Sequence, residues 1–343
     1  MKKIVTFGEL MLRLAPPGYE RFTQCSDLCA TYGGGEANIA VSLANYGLDA
    51  AFVTKLPKHE IGQAAVNSLR RFGVDTSKIV RDGDRVGIYF LEKGSNQRAS
   101  KVIYDRANSA IATAKREDFD WDSIFNNVGW FHFTGITPAL GENVAEICLD
   151  ALKCARAKNI FVSCDLNYRK NLWTKVAAKE TMSKLITYVD LCIANEEDAA
   201  DVFGITSEGT NVTDGHLNHS GYVSVAQQMV QKFGLKYVAI TLRESLSANH
   251  NNWSAMLYDA SAGEALFSKQ YEIRNIVDSV GGGDSFGGGL IYGFLNEFGN
   301  QKSLEFAVAA SCLKHTVEGD FNLVSATEVM GLLGGDASGR VQR

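Results

Sequence analysis

The residues best placed to do chemistry lie near the C-terminus, in Asn275-Ile-Val-Asp278-Ser-Val-Gly281-Gly282-Gly283-Asp284-Ser285-Phe-Gly287-Gly288-Gly289. After the first glycine triplet, Phe286, Leu290, Phe294 and Phe298 recur every four residues with Ile291 and Leu295 beside them. That spacing predicts a helix which begins near Asp284 and buries one face. Gly281, Gly282 and Gly283 then stand at a helix N-terminus, where unpaired N–H groups and the helix dipole favour an anion and no Cβ blocks its approach. An aspartate at this point reads in two ways. It caps the helix, or it is a general base that takes a proton from a hydroxyl while the glycine amides hold the group in transfer. The second reading describes phosphoryl transfer to an alcohol.

Gly283-Asp284-Ser285-Phe286-Gly287 also fits the G-x-S-x-G nucleophile elbow of hydrolases, which expects serine, then acid, then histidine along the chain. Here His315 is the only histidine after Ser285, and Glu318 and Asp320 follow it, so the order fails unless Glu297 or Glu305 serves as the acid. A second glycine turn, Gly33-Gly34-Gly35-Glu36-Ala37-Asn38, leads into a helix carrying Ile39, Leu43 and Tyr46 on one side. Asn38 stands where a dinucleotide fingerprint needs its third glycine, and no Walker-type lysine follows either turn. What remains is a bare turn that a ligand can approach closely, or a turn that only starts a helix. In the first case Asn38 can donate to and accept from a hydroxylated molecule.

These turns need a frame, and the rest of the chain predicts an α/β one. At 343 residues, with 21% charged residues, net charge −5 and pI near 5.8, the composition argues against nucleic acid and anionic membranes as partners. No apolar run approaches a membrane span and the N-terminus lacks a signal-peptide pattern, so a cytoplasmic protein is expected. Seven scattered cysteines fit reduced thiols; Cys25 and Cys29 with His216 and His219 do not have zinc spacing. Ile4–Leu14 reads as the first strand and Leu56–Phe72 as a helix. Val86–Leu91 and Ser100–Asp105 read as a hairpin that, with part of Leu12–Tyr32, forms a small β lid presenting Tyr89, Tyr104 and Arg106. Val128–Phe133, Ile160–Asp165, Leu191–Ala194 and Tyr237–Leu242 are short apolar runs at the spacing of parallel core strands. Their C-terminal ends, where open parallel sheets bind ligands, bear Asp165-Leu-Asn167-Tyr-Arg169, Asn195-Glu-Glu-Asp198 and Thr241-Leu-Arg243-Glu244. Trp253–Tyr258 and Leu266–Glu272 suggest a late antiparallel pair, and Leu304–Val317 a further helix. The expected organisation is one α/β domain over 1–335, a mostly parallel sheet flanked by helices, with the lid inserted from about 12–32 and 86–107 and a frayed tail at 336–343.

The two glycine signatures, Gly33-Gly34-Gly35-x-x-Asn38 and Asp278-Ser-Val-Gly281-Gly282-Gly283-Asp284, resemble those of the ribokinase/PfkB family of sugar kinases in order and spacing over nearly the whole chain. The resemblance implies a ribokinase-like fold, ATP, Mg2+ and a monovalent cation, with Asp284 as base and Gly281–Gly283 as anion hole. Within the family the chain is most similar to 2-keto-3-deoxygluconate kinases, which implies an acceptor site of Gly34, Asn38, Tyr89, Tyr104, Arg106, Arg169 and Asp320, with Arg169 open to either the sugar acid or the ATP phosphates. An acid sugar needs a carboxylate partner, and the planar two-pronged Arg106 suits it. On the nucleotide side the resemblance places Asn167, Asn195, Thr241, Arg243, Gly281 and Gly283. The family's Asn-x-x-Glu motif appears as Asn195-Glu-Glu-Asp198, so Asp198 or Glu197 is the expected, indirect magnesium contact. A glycine-rich turn of many relatives is replaced by Thr241-Leu-Arg243-Glu-Ser-Leu-Ser247. The reading is an ATP-dependent sugar-acid kinase acting on a terminal hydroxyl, in a homo-oligomer whose lids cover one another's edges. A neutral-sugar kinase (fructose or ribose type) and a sugar-binding regulator without turnover are its alternatives.

Overall fold

The computed structural model describes residues 2–195, 197–206 and 219–335; His216 and the tail at 336–343 lie outside them. The chain begins with β1 (Lys3–Phe7) in a large sheet and leaves after Gly8-Glu9-Leu10 for β2 (Met11–Ala15) and β3 (Cys29–Gly33) of a second, smaller sheet. The one strand expected over Ile4–Leu14 is therefore two strands in two sheets. Apolar residues continue through the run, but Gly8 packs against Glu36 and Glu9 turns into a buried polar cluster, so the ladder cannot pass through them. The helix α1 (Gly35–Asn45) returns the chain to β4 (Ala50–Val53). A short ribbon of β5 (Lys55–Leu56) and β6 (Val80–Arg81) flanks α2 (Glu60–Arg70), and β7 (Ile88–Glu92) and β8 (Lys101–Asp105) complete the small sheet in the order β3-β2-β7-β8.

Strand and helix then alternate. The short α3 (Trp121–Ile124) precedes β9 (Val128–Thr134), followed by α4 (Glu142–Ala157), β10 (Phe161–Asp165), α5 (Lys175–Leu185), β11 (Leu191–Asn195), α6 (Asp198–Phe203), α7 (His219–Phe233) and β12 (Tyr237–Ser247). Antiparallel β13 (His250–Asp259), β14 (Glu264–Phe267) and β15 (Tyr271–Arg274) widen the sheet before α8 (Gly282–Leu295), α9 (Asn300–Lys314) and α10 (Ala326–Leu333) close the chain. The large sheet runs β14-β13-β12-β11-β10-β9-β1-β4, parallel from β12 to β4, with β15 also on β13.

Alternation along the parallel strands feeds two cores. Val5, Phe131, Phe133, Cys192 and Ala194 face α4 to α7, while Ile4, Trp130, Leu191 and Ile193 face α1 and α8 to α10. Helices on both faces leave the C-terminal strand edge as the open rim. There β10 and β11 end, and the small sheet stands beside it through β2 and β7.

Candidate active site

A cleft of about 510 Å³ lies over that rim, between the large sheet, the small sheet and the N-terminus of α8. A cleft of this volume holds a small organic ligand. Gly281 is the N-cap of α8, with φ of 80°, and a Cβ there would stand 2.1 Å from the Asp320 carbonyl oxygen, so both the backbone conformation and the close approach require glycine. The helix begins at Gly282, two residues earlier than its apolar stripe suggests, which puts Asp284 in the first turn. Gly283 is exposed with nothing within 4 Å of where a Cβ would be, so its amide is open to the cleft. The first-turn N–H groups have no intrahelical acceptors; that of Gly282 makes a long contact of 3.4 Å with the Ser279 carbonyl oxygen, and that of Gly283 has no protein acceptor among the described residues.

Asp284 is bound by the other glycine turn. Asn38 Nδ2 donates to Asp284 Oδ2 at 2.6 Å, while Asn38 Oδ1 accepts from the Gly34 N–H at 3.2 Å. Asn38, 2% exposed, thus aims the aspartate and also lines the cleft, with its second Nδ2 N–H left for the ligand contact that the sequence suggested. Gly34 is needed for space, because a Cβ there would lie 2.0 Å from the Glu9 carbonyl oxygen. Burial raises the Asp284 carboxyl from its ordinary value to about 7; the Asn38 bond and Arg169 oppose this, and the charges of Asp320 and Glu36 add to it. A carboxyl poised there is suited to accept a proton near neutrality.

Ser285, in contrast, is fully buried and its Oγ accepts from Asn322 Nδ2 at 2.8 Å. The ring of His315 packs behind Gly282, its Nδ1 at 2.7 Å from the Ser311 carbonyl oxygen, and burial pulls it down to about 4. A serine facing the core cannot act as an elbow nucleophile, and the hydrolase reading ends here.

On the side of the small sheet, Tyr89, Tyr104, Arg106 and Asp320 all line the cleft. Asp320 is held from behind: Tyr89 Oη lies 2.6 and 2.7 Å from its two oxygens, and Arg13 Nη1 donates to Oδ1 at 2.8 Å. Arg106 is committed in part, since its Nε donates to Glu9 Oε2 at 2.8 Å, its Nη2 bonds the same oxygen, and Ser109 Oγ donates to Glu9 Oε1. The Nε edge of the fork is thus taken, while both N–H groups of Nη1 and the second N–H of Nη2 have no protein acceptor among the described residues, so the end-on pair of Arg106, which lines the cleft, is left for a ligand. The guanidinium also lies over the Tyr104 ring at 5.4 Å.

At the strand ends Asn167, Arg169, Asn195, Asp198, Thr241 and Arg243 share the same cleft. Asn167 takes φ of 40°, and its N–H donates to Asp165 Oδ1 at 3.1 Å, which turns the chain sharply out of β10. Asn195 Oδ1 accepts from the N–H groups of Glu197 and Asp198, and Thr241 Oγ1 faces the Ala194 carbonyl oxygen at 3.4 Å. Arg169 and Arg243 are exposed and have no ion pair among the described residues. Two unpaired guanidiniums facing a helix N-terminus across one cleft make a field for anions.

The profile of the pfkB family of carbohydrate kinases matches residues 1–327. The chain belongs to that family. As a PfkB kinase it has close company: 2-dehydro-3-deoxygalactonokinase of Haloferax volcanii is 31% identical over 336 residues, 98% of each chain. 2-Dehydro-3-deoxygluconokinase of Bacillus subtilis is 26% identical over 93% of this chain and 91% of that one. The crystal structure of 2-dehydro-3-deoxygluconokinase from Thermotoga maritima superposes with a TM-score of 0.93 at 54% identity, covering 97% and 98% of the two chains. The ribokinase-like fold expected from the glycine signatures is the observed one.

The family resemblance carries the expectation of magnesium, and the donor set for that ion is modest here. Among the described residues no three acidic, histidine or cysteine side chains converge as ligands. Asp198 accepts the Tyr168 N–H at 3.1 Å and the Asn195 N–H at 2.9 Å, one on each oxygen, and Glu197 is exposed and off the cleft lining. Of the two magnesium candidates Asp198 alone reaches the cleft, with its oxygens already bonded, which suits contact through water. Asp165 beside it keeps one oxygen without a donor among the described residues, and burial with the nearby charges of Asp198 and Asp284 pushes it well up. Carboxylates that repel one another across a cleft fit a divalent cation. Asp165, Glu9, Arg13 and Asp278 were not singled out from sequence as site residues. Two of them carried a signal that could have marked them: Asp165 stands at the end of a predicted parallel strand, and Asp278 opens the second glycine signature.

Proposed function

We propose that the protein is an ATP-dependent sugar-acid kinase which phosphorylates the terminal hydroxyl of 2-dehydro-3-deoxygluconate, the 2-keto-3-deoxygluconate of the sequence reading. The observation that supports this best is the Asp284 carboxyl, poised near 7 in the first turn of a glycine-led helix, facing a cleft with unpaired arginines. The acceptor hydroxyl lies against Asp284, which takes its proton as oxygen attacks the γ-phosphorus; the bond from that phosphorus to the β-phosphate oxygen breaks, ADP leaves with the electron pair, and the Gly281–Gly283 amides receive the charge on the phosphoryl group. Arg169 and Arg243 draw in the anionic partners, and Nη1 of Arg106 meets the sugar carboxylate end-on, with Gly34 and Tyr104 beside the chain of the sugar. Asp165 and Asp198 would hold Mg2+ through its water, and the ion would neutralise phosphate charge. Asn167, Asn195 and Thr241 line the nucleotide end.

A coupled assay of ADP release across sugar acids and neutral sugars tests the reading. Turnover of 2-dehydro-3-deoxygluconate is expected to exceed that of fructose and ribose in kcat/KM by at least about 100-fold, the scale of one charge-assisted contact. Comparable rates on fructose or ribose would replace the sugar-acid reading by the neutral-sugar one, and no ADP release on any sugar would favour the silent regulator. The C4 epimer belongs in the panel, because the Haloferax relative is a galactonokinase. Running it with and without potassium at constant ionic strength tests the monovalent cation. The buried Lys314 Nζ, bonded to the Val317 carbonyl at 3.1 Å and near that of Asp278 at 3.4 Å, already supplies a fixed cation behind the glycine turn, so little response is expected.

The small sheet closes over the acceptor and excludes water from the phosphoryl transfer. Its edge strand β8 carries the exposed Val102, Ile103 and Tyr104. Covering them with the small sheet of a second copy gives a homo-oligomer. Light scattering that returns a fully active monomer at high concentration would contradict this. No helix among the described residues is long and apolar enough to cross a membrane. With seven free cysteines and a need for ATP, the cytoplasm is the proposed compartment, and activity recovered in the membrane pellet of fractionated cells would count against it.

A further inference from the structure

Arg13 is an arginine in the middle of a lid strand, yet it is 2% exposed and does not itself line the cleft. Its Nη1 donates to Asp320 Oδ1 at 2.8 Å and its Nη2 to Asp278 Oδ2 at 2.6 Å. The two carboxylates are not equivalent. Asp278 is fully used, since Oδ1 also accepts the Val280 N–H at 3.0 Å and Oδ2 the Gly319 N–H at 3.1 Å, and it faces away from the cleft. Asp320 faces into it, with Tyr89 on one flank and Arg13 behind. One guanidinium therefore joins the segment that enters the glycine turn, the acid after α9 and the strand β2 of the small sheet.

A buried carboxylate left alone takes up a proton, and as a neutral acid it turns one of its acceptor oxygens into a donor. Burial does push the Asp320 carboxyl up, and the Arg13 charge is the largest influence that opposes it. The planar fork fixes direction as well as charge, because two parallel N–H groups on two different carboxylates leave the arginine one orientation.

We propose that Arg13 is a positioning residue for the acceptor: it keeps the Asp320 carboxylate ionised and aimed, so that its remaining lone pairs take hydrogen bonds from acceptor hydroxyls, and through Asp278 it fixes that carboxylate relative to the anion hole. The proposal rests on the sugar-kinase reading above. It also limits how far the small sheet can open, since β2 cannot swing away from the cleft without stripping a buried cation of its two carboxylate partners.

The test is a double-mutant cycle in the full-length chain: Arg13→Met, Asp320→Asn and the pair, with kcat and KM read for 2-dehydro-3-deoxygluconate and for ATP. Arg13→Met is expected to raise the sugar KM roughly 10- to 100-fold with the ATP KM within about twofold, the range of a lost charge-assisted hydrogen bond. In the Asp320→Asn background the same change should add less than about threefold, because its target is already neutral. Arg13→Lys should recover part of the loss. Effects that multiply in the pair, or an ATP KM that rises as much as the sugar KM, would overturn the proposal. If Arg13→Met does not fold, Arg13→Lys decides alone: a rise confined to the sugar KM supports the role, and equal changes for both substrates remove it. A parent enzyme inactive on every sugar would instead bring down the kinase reading, which a multiplicative cycle in an active enzyme would leave intact.

Discussion

Asp284→Asn is expected to lower kcat by on the order of 10²- to 10⁴-fold, the usual contribution of a positioned general base, with the sugar KM close to that of the parent. The amide fills the same space at the head of α8 and its oxygen can accept from Asn38 Nδ2 as the carboxylate does, so binding survives while proton acceptance is lost. The same residue sets the pH profile. The base acts in its deprotonated form, and burial holds the free-enzyme carboxyl at about 7, so kcat/KM should climb through an apparent pKa near 7 and level above it. The acid limb should vanish in the variant. Stability should move the other way. A carboxyl whose folded value is raised binds its proton more tightly when folded, so the stability it contributes is full below its unfolded value of 3.8 and is lost as pH rises through about 7. Asn carries no such cost, so the variant should melt higher than the parent at pH 8. A variant with near-normal kcat would reduce Asp284 to an acid that merely favours its helix.

Arg106→Ala should lower kcat/KM for the sugar acid by roughly 10- to 150-fold, since a hydrogen bond to a charged group is worth about 1.5–3 kcal/mol. A neutral sugar, measured at high concentration, has no carboxylate to lose and should fall much less. Tyr89→Phe and Tyr104→Phe should cost less than the arginine. The pairing with Glu9 adds a second expectation that sequence could not supply. Glu9 is 4% exposed, and removing Arg106 leaves it charged and buried with Ser109 as its one side-chain donor among the described residues. Breaking such a pair costs about 3–5 kcal/mol, so the melting temperature should drop sharply, and Glu9→Gln in the same chain should restore part of it. Stability and specificity therefore separate. If the double variant regains stability but not acid selectivity, Arg106 reads the carboxylate. If acid and neutral sugars lose equally, the arginine serves to pin the end of β8 to Glu9, and the sugar-acid assignment loses its main contact.

What could be read in the chain beforehand was what is local. Glycines before an apolar period of four announce a helix N-terminus wherever they fall, and the alternating segments after Val128 announce parallel strands. Asp284 was legible because its neighbours in sequence are its neighbours in space. Arg13 was not. In Met11-Leu-Arg-Leu-Ala15 an arginine between leucines reads as the solvent face of an edge strand, and only partners 265 and 307 residues further on turn that face inward. The hold of Asn38 on Asp284 was hidden for the same reason: that partner is 246 residues away. Glu9 and Arg106 stand 97 residues apart, so nothing near Arg106 in the chain told that one edge of its fork is already taken. The split of Ile4–Leu14 was hidden because apolar content runs through it, and only tertiary packing around Gly8 ends the ladder.

The reach of Arg13 also says something about time. A coil closing a loop of 307 residues would spend about 5 kcal/mol of entropy beyond a constant, more than a single exchange of ion partners returns. That closure is already made when β1 lies beside β9 and α1 beside α8, so the guanidinium fastens a meeting that the core has arranged. A nascent chain is made from its N-terminus, and both acids that Arg13 requires arrive late. Any length that stops short of Asp278 holds a strand with an unanswered buried cation, and any length that stops short of Asp320 lacks the acid that faces the sugar. The order of synthesis thus leaves the acceptor site among the last parts of the molecule to exist, after most of its scaffold.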